Sequence, residues 1–221
     1  MIGVGRELRR LSVELLFMHY RLLVPILALG LGVPLAVQGV FMMQGTEAAT
    51  LHQTAQLLRQ ILPLFSVWCP AFALQNYVQG DSCELFRAYT ARRSRQWRLV
   101  AWCGLFYFTA ETALFLWVCR HFTGRGAAFV LLVEWVWQLL SLLFMSGAVY
   151  FLSYTLHSSM TAMIVAALYH CFSAVISVLP STFPGEIGFP LLSQKGMVVL
   201  GAAILLWMAG WFQDRRYSIK N

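Results

Sequence analysis

Charged residues are scarce in this chain, and acidic ones are the scarcest. Asp and Glu number 9 and Lys and Arg 16 among 221 residues, so that only 11% of the chain is charged. Soluble domains reach about 25%. Apolar residues make up 59% instead. This composition excludes a sizeable soluble domain, and we expect a single membrane domain covering residues 1–221.

Lysine is especially rare, and its distribution excludes a nucleotide-binding loop. Lys195 and Lys220 are followed by Gly196 and Asn221, whereas the phosphate-binding loop of ATPases needs Gly-Lys followed by Ser or Thr. ATP hydrolysis therefore cannot reside in this polypeptide, and we expect no cofactor in this chain. Nucleotide-driven work would need ATP and Mg on a separate subunit.

Motifs for metal binding are also lacking. The five cysteines show no C-x-x-C spacing, and the five histidines form neither H-E-x-x-H nor H-x-x-x-H. We therefore predict apolar packing for the cysteines and no metal site. Because the chain also lacks a nucleotide-binding loop, we expect that it is not itself an enzyme.

The chain does contain six uncharged or nearly uncharged stretches of membrane-spanning length. A spanning helix needs about 20 apolar residues. The stretches run approximately over Leu22–Met43, Ile61–Gln79, Leu99–Cys119, Ala127–Ser153, Met160–Pro180 and Met197–Phe212. The predicted fold is all-α, a polytopic membrane protein with six transmembrane helices.

Basic residues alternate between the connecting segments, and this alternation predicts orientation. With the N-terminus inside, 12 of the 16 Lys and Arg residues are cytoplasmic, and only Arg59, Arg120, Arg125 and Lys195 are outside. Such an excess on one side is the positive-inside pattern, so both termini of this cell-membrane protein should be cytoplasmic. Because the positive charges flank spans, we expect anionic membrane lipid as their partner and no nucleic acid.

Three segments outside the spans have predicted structures. Residues 1–20 place apolar side chains at three- and four-residue spacing, which is typical of an amphipathic interfacial helix, although a plain extension of the first span is the alternative. Residues 180–196 contain Pro180, Pro184 and Pro190, which interrupt a helix. We expect a re-entrant hairpin there, on the outer side between spans five and six.

The third segment, residues 81–98, is the longest cytoplasmic connection and contains five arginines. Asp81 can cap a helix with Glu84 at its third position, and Leu85, Phe86 and Tyr89 then share one side. We predict a short helix that presents these groups to a cytoplasmic protein. The alternative is a solvated loop that only enforces topology.

Two carboxylates interrupt the apolar spans. Glu111 lies nine residues before Arg120 and Glu134 nine residues after Arg125. Both therefore lie about 13 Å below the outer surface at 1.5 Å per residue. Carboxylates at this depth are costly and usually face a protein interior or a water-filled path. We expect Glu111 and Glu134 to line a translocation path or share a proton. Alternatively, they hydrogen-bond across helices to Thr109, Thr112, Gln138 or Ser141.

The layout resembles the permeases of the ABC type-2 exporter family. The closest local match is Gly80, Glu84, Leu85 and Arg95 in QGDSCELFRAYTARRSR, which resembles the family's conserved segment leading into span three. The chain departs from that segment at Asp81, where the family has a small hydroxyl residue. In length the chain is similar to small bacterial permeases for lantibiotic immunity, a form of antibiotic resistance, or for peptide export.

The resemblance implies a half-transporter. Two permease protomers, identical or paired with a sister chain, would form a dimer on two ATP-binding cassette ATPase subunits and export a peptide or an amphipathic, lipid-like substrate. Glu84, Leu85, Phe86 and Tyr89 would form the coupling helix that enters an ATPase groove.

Two other functional classes remain open at this stage. A proton-coupled secondary transporter would use Glu111 and Glu134 as proton carriers. An intramembrane serine hydrolase would need a nucleophile and a base, for which Ser146 and His170 are the candidates.

Overall fold

The computed structural model describes residues 20–43, 47–79, 96–122, 125–178 and 193–219, and every element in these ranges is a helix. We number the helices α1 (Tyr20–Leu27), α2 (Val33–Met43), α3 (Glu47–Ser66), α4 (Trp68–Val78), α5 (Gln96–Cys119), α6 (Arg125–Thr155), α7 (Ser159–Val178) and α8 (Gln194–Ile219). A π-helical turn, Ala28–Gly32, joins α1 to α2.

Five helical stretches are long and apolar enough to cross a membrane. They are Val24–Met42, Ala49–Val78, Gln96–Cys119, Gly126–Thr155 and Gln194–Arg216. Helix α7 contributes a shorter apolar stretch, Ser159–Ser173. The described part of the chain is therefore an all-helical membrane protein, as the composition predicts. It has five candidate spans where the sequence predicts six, because within the described residues the predicted span Met160–Pro180 has only the shorter apolar stretch Ser159–Ser173.

The three segments predicted outside the spans lie largely beyond the described residues. These are the amphipathic helix at 1–20, most of the coupling segment at 81–98 and most of the hairpin at 180–196. The end of each of these segments is described and is helical. Tyr20 begins α1, residues 96–98 begin α5, and residues 194–196 begin α8.

Prolines explain the irregular backbone of the first two long helices. Pro34 has no N–H, and its ring would clash with the carbonyl four residues earlier, so the chain widens before it into a π-helical turn. There the Val33 N–H donates to Ala28 O. The second helix breaks between α3 and α4 at Val67, three residues before Pro70. One proline in each case produces the local departure from α-helical geometry.

Helix α6 is the centre of the bundle and contacts α3, α4, α5, α7 and α8. Its packing against α8 depends on two glycines. A Cβ at Gly147 would lie 2.7 Å from the Trp207 ring, and a Cβ at Gly210 would lie 2.5 Å from the Tyr150 ring. Small residues allow such close approach between membrane helices, where no hydrophobic effect drives association.

The helix termini are in contact with one another at the two opposite ends of the bundle. At one end, Gln79 Nε2 donates to Ser158 Oγ across 2.6 Å, which places the end of α4 beside the turn between α6 and α7. Tyr150 OH donates to Asp214 Oδ2 across 3.1 Å and joins the C-terminal part of α8 to the same region. At the other end, the Phe41 ring lies 5.4 Å from the His121 ring. The described helices therefore run alternately from one of these two ends to the other.

Candidate functional site

The strongest polar contact in the described chain joins α3 to α6. Arg59 donates from Nε to Glu134 Oε1 across 3.0 Å and from Nη2 to Glu134 Oε2 across 2.5 Å. The Glu134 side chain is 5% exposed, whereas that of Arg59 is 60% exposed. Two parallel hydrogen bonds between a guanidinium and a carboxylate fix both groups in one plane, which makes this pair more specific than a single contact.

Glu134 accepts a third hydrogen bond from within its own helix. Gln138 Nε2 donates to Oε1 across 2.9 Å, from one turn further along α6. Gln138 is thus a partner of Glu134, as the packing interpretation proposes, but along one helix instead of across two. Its own Oε1 is buried without a partner.

The structure changes the expected location of Arg59. The charge pattern places it in an outer loop before a span that starts at Ile61, whereas it lies inside α3, within the apolar stretch Ala49–Val78. A single arginine lowers local hydropathy and shifts a predicted boundary. Its charge is compensated by a carboxylate 75 positions away, which local hydropathy does not reveal.

Glu111 is buried in a different manner. Its side chain is 1% exposed, and Oε2 has no hydrogen-bond partner in the structure. Tyr107, one turn earlier on α5, also has a buried hydroxyl without a partner. Most buried polar atoms in proteins are hydrogen-bonded, so each exception requires a specific explanation.

The two carboxylates lie at similar depth, as their spacing predicts. Trp135 Nε1 donates to Thr112 Oγ1 across 3.3 Å, and these two residues directly follow Glu134 and Glu111. At 1.5 Å per residue, the two glutamates then differ in depth by about 3 Å. The described partners of Glu134 are Arg59 and Gln138, so sharing of a proton with Glu111 stays a prediction.

The candidate hydrolase residues have other partners. Ser146 Oγ donates to Leu143 O across 3.2 Å, and the His170 ring lies 3.0 Å from Gln60 O through Nε2. Neither bond joins the serine to the histidine. Within the described residues, each of the two side chains is bonded to a backbone carbonyl instead.

A pair of thiols lies in the core between α4 and α5. Cys69 and Cys103 are both buried, with their sulfur atoms 3.1 Å apart. Within the described residues, no group of three or more His, Cys, Asp or Glu side chains could hold a metal ion. The pair belongs to the main apolar cluster, in agreement with the predicted packing role.

The predicted coupling residues Glu84, Leu85, Phe86 and Tyr89 lie outside the described residues. The structure does show where their segment is attached. It leaves α4 after Gln79 and returns into α5 at Gln96, and the two attachment points are at one end of the bundle, where Val78 and Val100 share a cluster with Tyr154.

No protein-family model, curated protein or solved structure matches this chain at a significant level.

Proposed function

We propose that this chain is the membrane-spanning permease subunit of an ATP-binding cassette exporter. It would lie in a cell membrane with both termini cytoplasmic and would move a peptide or an amphipathic, lipid-like molecule. A separate ATPase subunit would hydrolyse the ATP, and a second permease protomer would complete the path.

The observation that carries this proposal is the attachment of residues 80–95 at one end of the bundle. Gln79 is bonded to Ser158, which in turn lies 2.8 Å from Thr161 Oγ1 and accepts a bond from the Thr161 N–H. A displacement of the segment would therefore reach the beginning of α7 directly. It would reach α6 and α8 through the cluster that contains Val78 and Tyr150.

A passive bundle needs this kind of connection to receive motion from an external ATPase. The Tyr150–Asp214 bond extends it to α8. In this proposal Glu84, Leu85, Phe86 and Tyr89 form the coupling helix, and the bonds at its base transmit the movement.

The proposal includes α7 as the sixth span. Helix α7 runs antiparallel to the α3–α4 pair, because Ser158 meets Gln79 near its start and His170 meets Gln60 further along. As a helix, α7 has 20 residues and is about 30 Å long, close to the thickness of the hydrocarbon layer. Its two contacts with the α3–α4 pair are about 18 Å apart along α7, so they fix its direction over part of its length.

Glu111 and the Arg59–Glu134 pair provide polar groups for the path. Both glutamates are buried, Glu111 about two thirds of the way along α5 and Glu134 about one third of the way along the antiparallel α6, where an unneeded charge would be costly. The pair keeps its charge compensated, whereas Glu111 is buried with one carboxylate oxygen unpartnered, and it would contribute to the path in a conformation that exposes it.

The test of this function is copurification followed by uncoupling. The chain is purified in mild detergent and its partner identified, with an ATPase subunit as the expected result. Phe86→Ala with Tyr89→Ala should then abolish ATP-dependent transport in proteoliposomes and leave the amount of folded permease unchanged. A matched control, Phe108→Ala with Phe129→Ala, removes two exposed aromatic rings far from the segment and should retain transport. Normal transport by the first variant would contradict the assignment.

A second candidate, a proton-coupled carrier, is favoured by one observation. Glu111 is 1% exposed and has an unpartnered oxygen, which suits a group that binds and releases a proton during transport. Such a carrier would transport in proteoliposomes under a pH gradient without ATP, and Glu111→Gln would abolish this activity. Transport that requires ATP and survives Glu111→Gln would exclude it.

A further inference from the structure

The exposed surface of α3 is polar over more than two turns. Its exposed side chains, within the part whose burial is described, are His52, Gln53, Gln56, Arg59 and Gln60. They recur at helical spacing on one side, which we call the polar face of α3, and this face extends over about 12 Å. The buried positions between them, including Thr54, Leu58 and Leu62, pack into the bundle. Every exposed side chain in this part of α3 can donate a hydrogen bond.

Neighbouring helices present apolar groups at the same level. Helices α3 and α6 run parallel, because Arg59 meets Glu134 and, further along, Ala71 packs in one cluster with Val149. Gln56 is three residues before Arg59, and Leu131 is three residues before Glu134, so Gln56 and Leu131 are at the same level of these two helices. Around that level, Phe129 is 48% exposed and Leu132 is 46% exposed.

Helix α5 shows the same contrast. Trp135 of α6 donates a hydrogen bond to Thr112 of α5, so these two residues are at one level. One turn further towards the end of α5 is Leu116, and one turn back towards the start of the antiparallel α6 is Leu131, so these two are also at one level. Leu116 is 61% exposed. Apolar side chains of this size are what lipid-facing helices present, so the level of Gln56 lies within the hydrocarbon layer on two other helices.

A row of amides and an arginine cannot face lipid at that depth. Unsatisfied polar groups are costly in hydrocarbon, and charged side chains in spans face an interior or a water-filled cavity. A guanidinium has five N–H donors, and the bonds from Arg59 to Glu134 use two of them. The Arg59 side chain is 60% exposed, so the donors that Glu134 does not use are on a group that remains accessible.

We propose that the polar face of α3 lines a water-filled path through the outer half of the membrane, with Arg59 as its anion-binding residue. The ligand carries a phosphate or carboxylate group, which the free guanidinium donors and the flanking glutamine amides bind. This inference rests on the proposed export function and deepens it by naming a substrate class. No carboxylate is exposed on the polar face to compete with such a ligand.

Thiol labelling tests the water-filled path. The five native cysteines are replaced by alanine, and single cysteines are placed at Gln53, Gln56 or Gln60 in neutral phosphatidylcholine nanodiscs. Matched controls at the same level are Leu116→Cys, Phe129→Cys and Leu132→Cys. Membrane-impermeant methanethiosulfonate reagents should modify the three polar-face positions at least about tenfold faster than the controls.

Two outcomes would overturn the path. Equal and slow labelling of both sets would show that the polar face is closed to water. Equal and fast labelling of both sets would show that all three helices simply project from the bilayer. Because labelling needs no ATPase, the absence of a copurifying ATPase would defeat the exporter proposal alone.

The charge of the reagent tests the role of Arg59. At Gln60→Cys, the rate ratio of a sulfonate reagent to a trimethylammonium reagent should fall about tenfold in Arg59→Gln, because loss of one charge about 6 Å away in water changes each rate about threefold, in opposite directions. The variant Arg59→Gln with Glu134→Gln removes both charges and should also lower the ratio. An unchanged ratio in both variants would refute anion binding by Arg59.

Protection of a cysteine from labelling by a bound ligand identifies the source of the anion. One arm adds phosphatidylglycerol to the neutral nanodiscs, and the other adds a short peptide with a free C-terminal carboxylate, compared with its amide. Slower labelling at Gln60→Cys in the first arm indicates a lipid headgroup, and in the second a transported peptide. Protection must be lost in Arg59→Gln, and absence of protection in both arms would contradict the assignment.

Discussion

Removing Arg59 should destabilise the protein more than removing the carboxylate to which it is bonded. Glu134 is 5% exposed, so Arg59→Gln leaves a buried charge with Gln138 as its main remaining donor. Loss of one partner from a buried pair costs about 3–5 kcal/mol, and we expect about 3 kcal/mol because Arg59 is 60% exposed and, in the proposed path, faces water.

The reverse substitution leaves a different group unpaired. Glu134→Gln keeps an oxygen that can accept the Gln138 bond, and the exposed guanidinium can reach solvent. We expect a loss of about 1 kcal/mol, in the range of exposed ion pairs. The double variant should lose about 2 kcal/mol, less than Arg59→Gln alone, because it leaves no buried charge unpaired.

The free energy of unfolding, measured by steric trapping in bicelles, checks this cycle. Arg120→Gln serves as a control because Arg120 is exposed beyond the end of α5, and its loss should change stability by less than about 0.5 kcal/mol. If Arg59→Gln were no more destabilising than Glu134→Gln, or if the two losses were additive, the buried pair would not hold these helices together.

Two further perturbations test the packing of the bundle. Gly210→Ala should destabilise by about 1–3 kcal/mol, because its Cβ would lie 2.5 Å from the buried Tyr150 ring, whereas Gly201→Ala, with no atom within 4 Å, should be neutral or slightly stabilising in the same unfolding assay. Copper phenanthroline should oxidise Cys69 and Cys103 to a disulfide, since their sulfur atoms are 3.1 Å apart, with loss of two free thiols by mass spectrometry. Failure to crosslink in the folded protein would contradict the packing of α4 against α5.

Much of the architecture follows from local pattern. The third and fourth predicted spans agree with α5 and α6 to within a few residues, because each is a long apolar run bounded by arginine. The second predicted span begins too late, since Arg59 was taken as a boundary although α3 begins at Glu47. Its amphipathic pattern, with His52 and Gln56 on the exposed side, was the signal that could have extended it.

The candidate site was predictable only in part. The spacing of Glu111 and Glu134 from flanking arginines was enough to place them at similar depth, which the Trp135–Thr112 bond supports. Their partners were not predictable. The pairing with Arg59 depends on how α3 is rotated relative to α6, and a one-residue change in either helix would turn the side chain by about 100°.

The sequence by itself determined that this is an all-helical membrane protein and located the five stretches that are candidate spans in the structure, because hydropathy and length are properties of each segment alone. Only the tertiary structure decided that Arg59 compensates Glu134, that Ser146 and His170 have separate partners, and that α3 exposes a polar face. These features depend on helix rotation and crossing, which are set by contacts between residues far apart in the chain, such as Gly147 against Trp207.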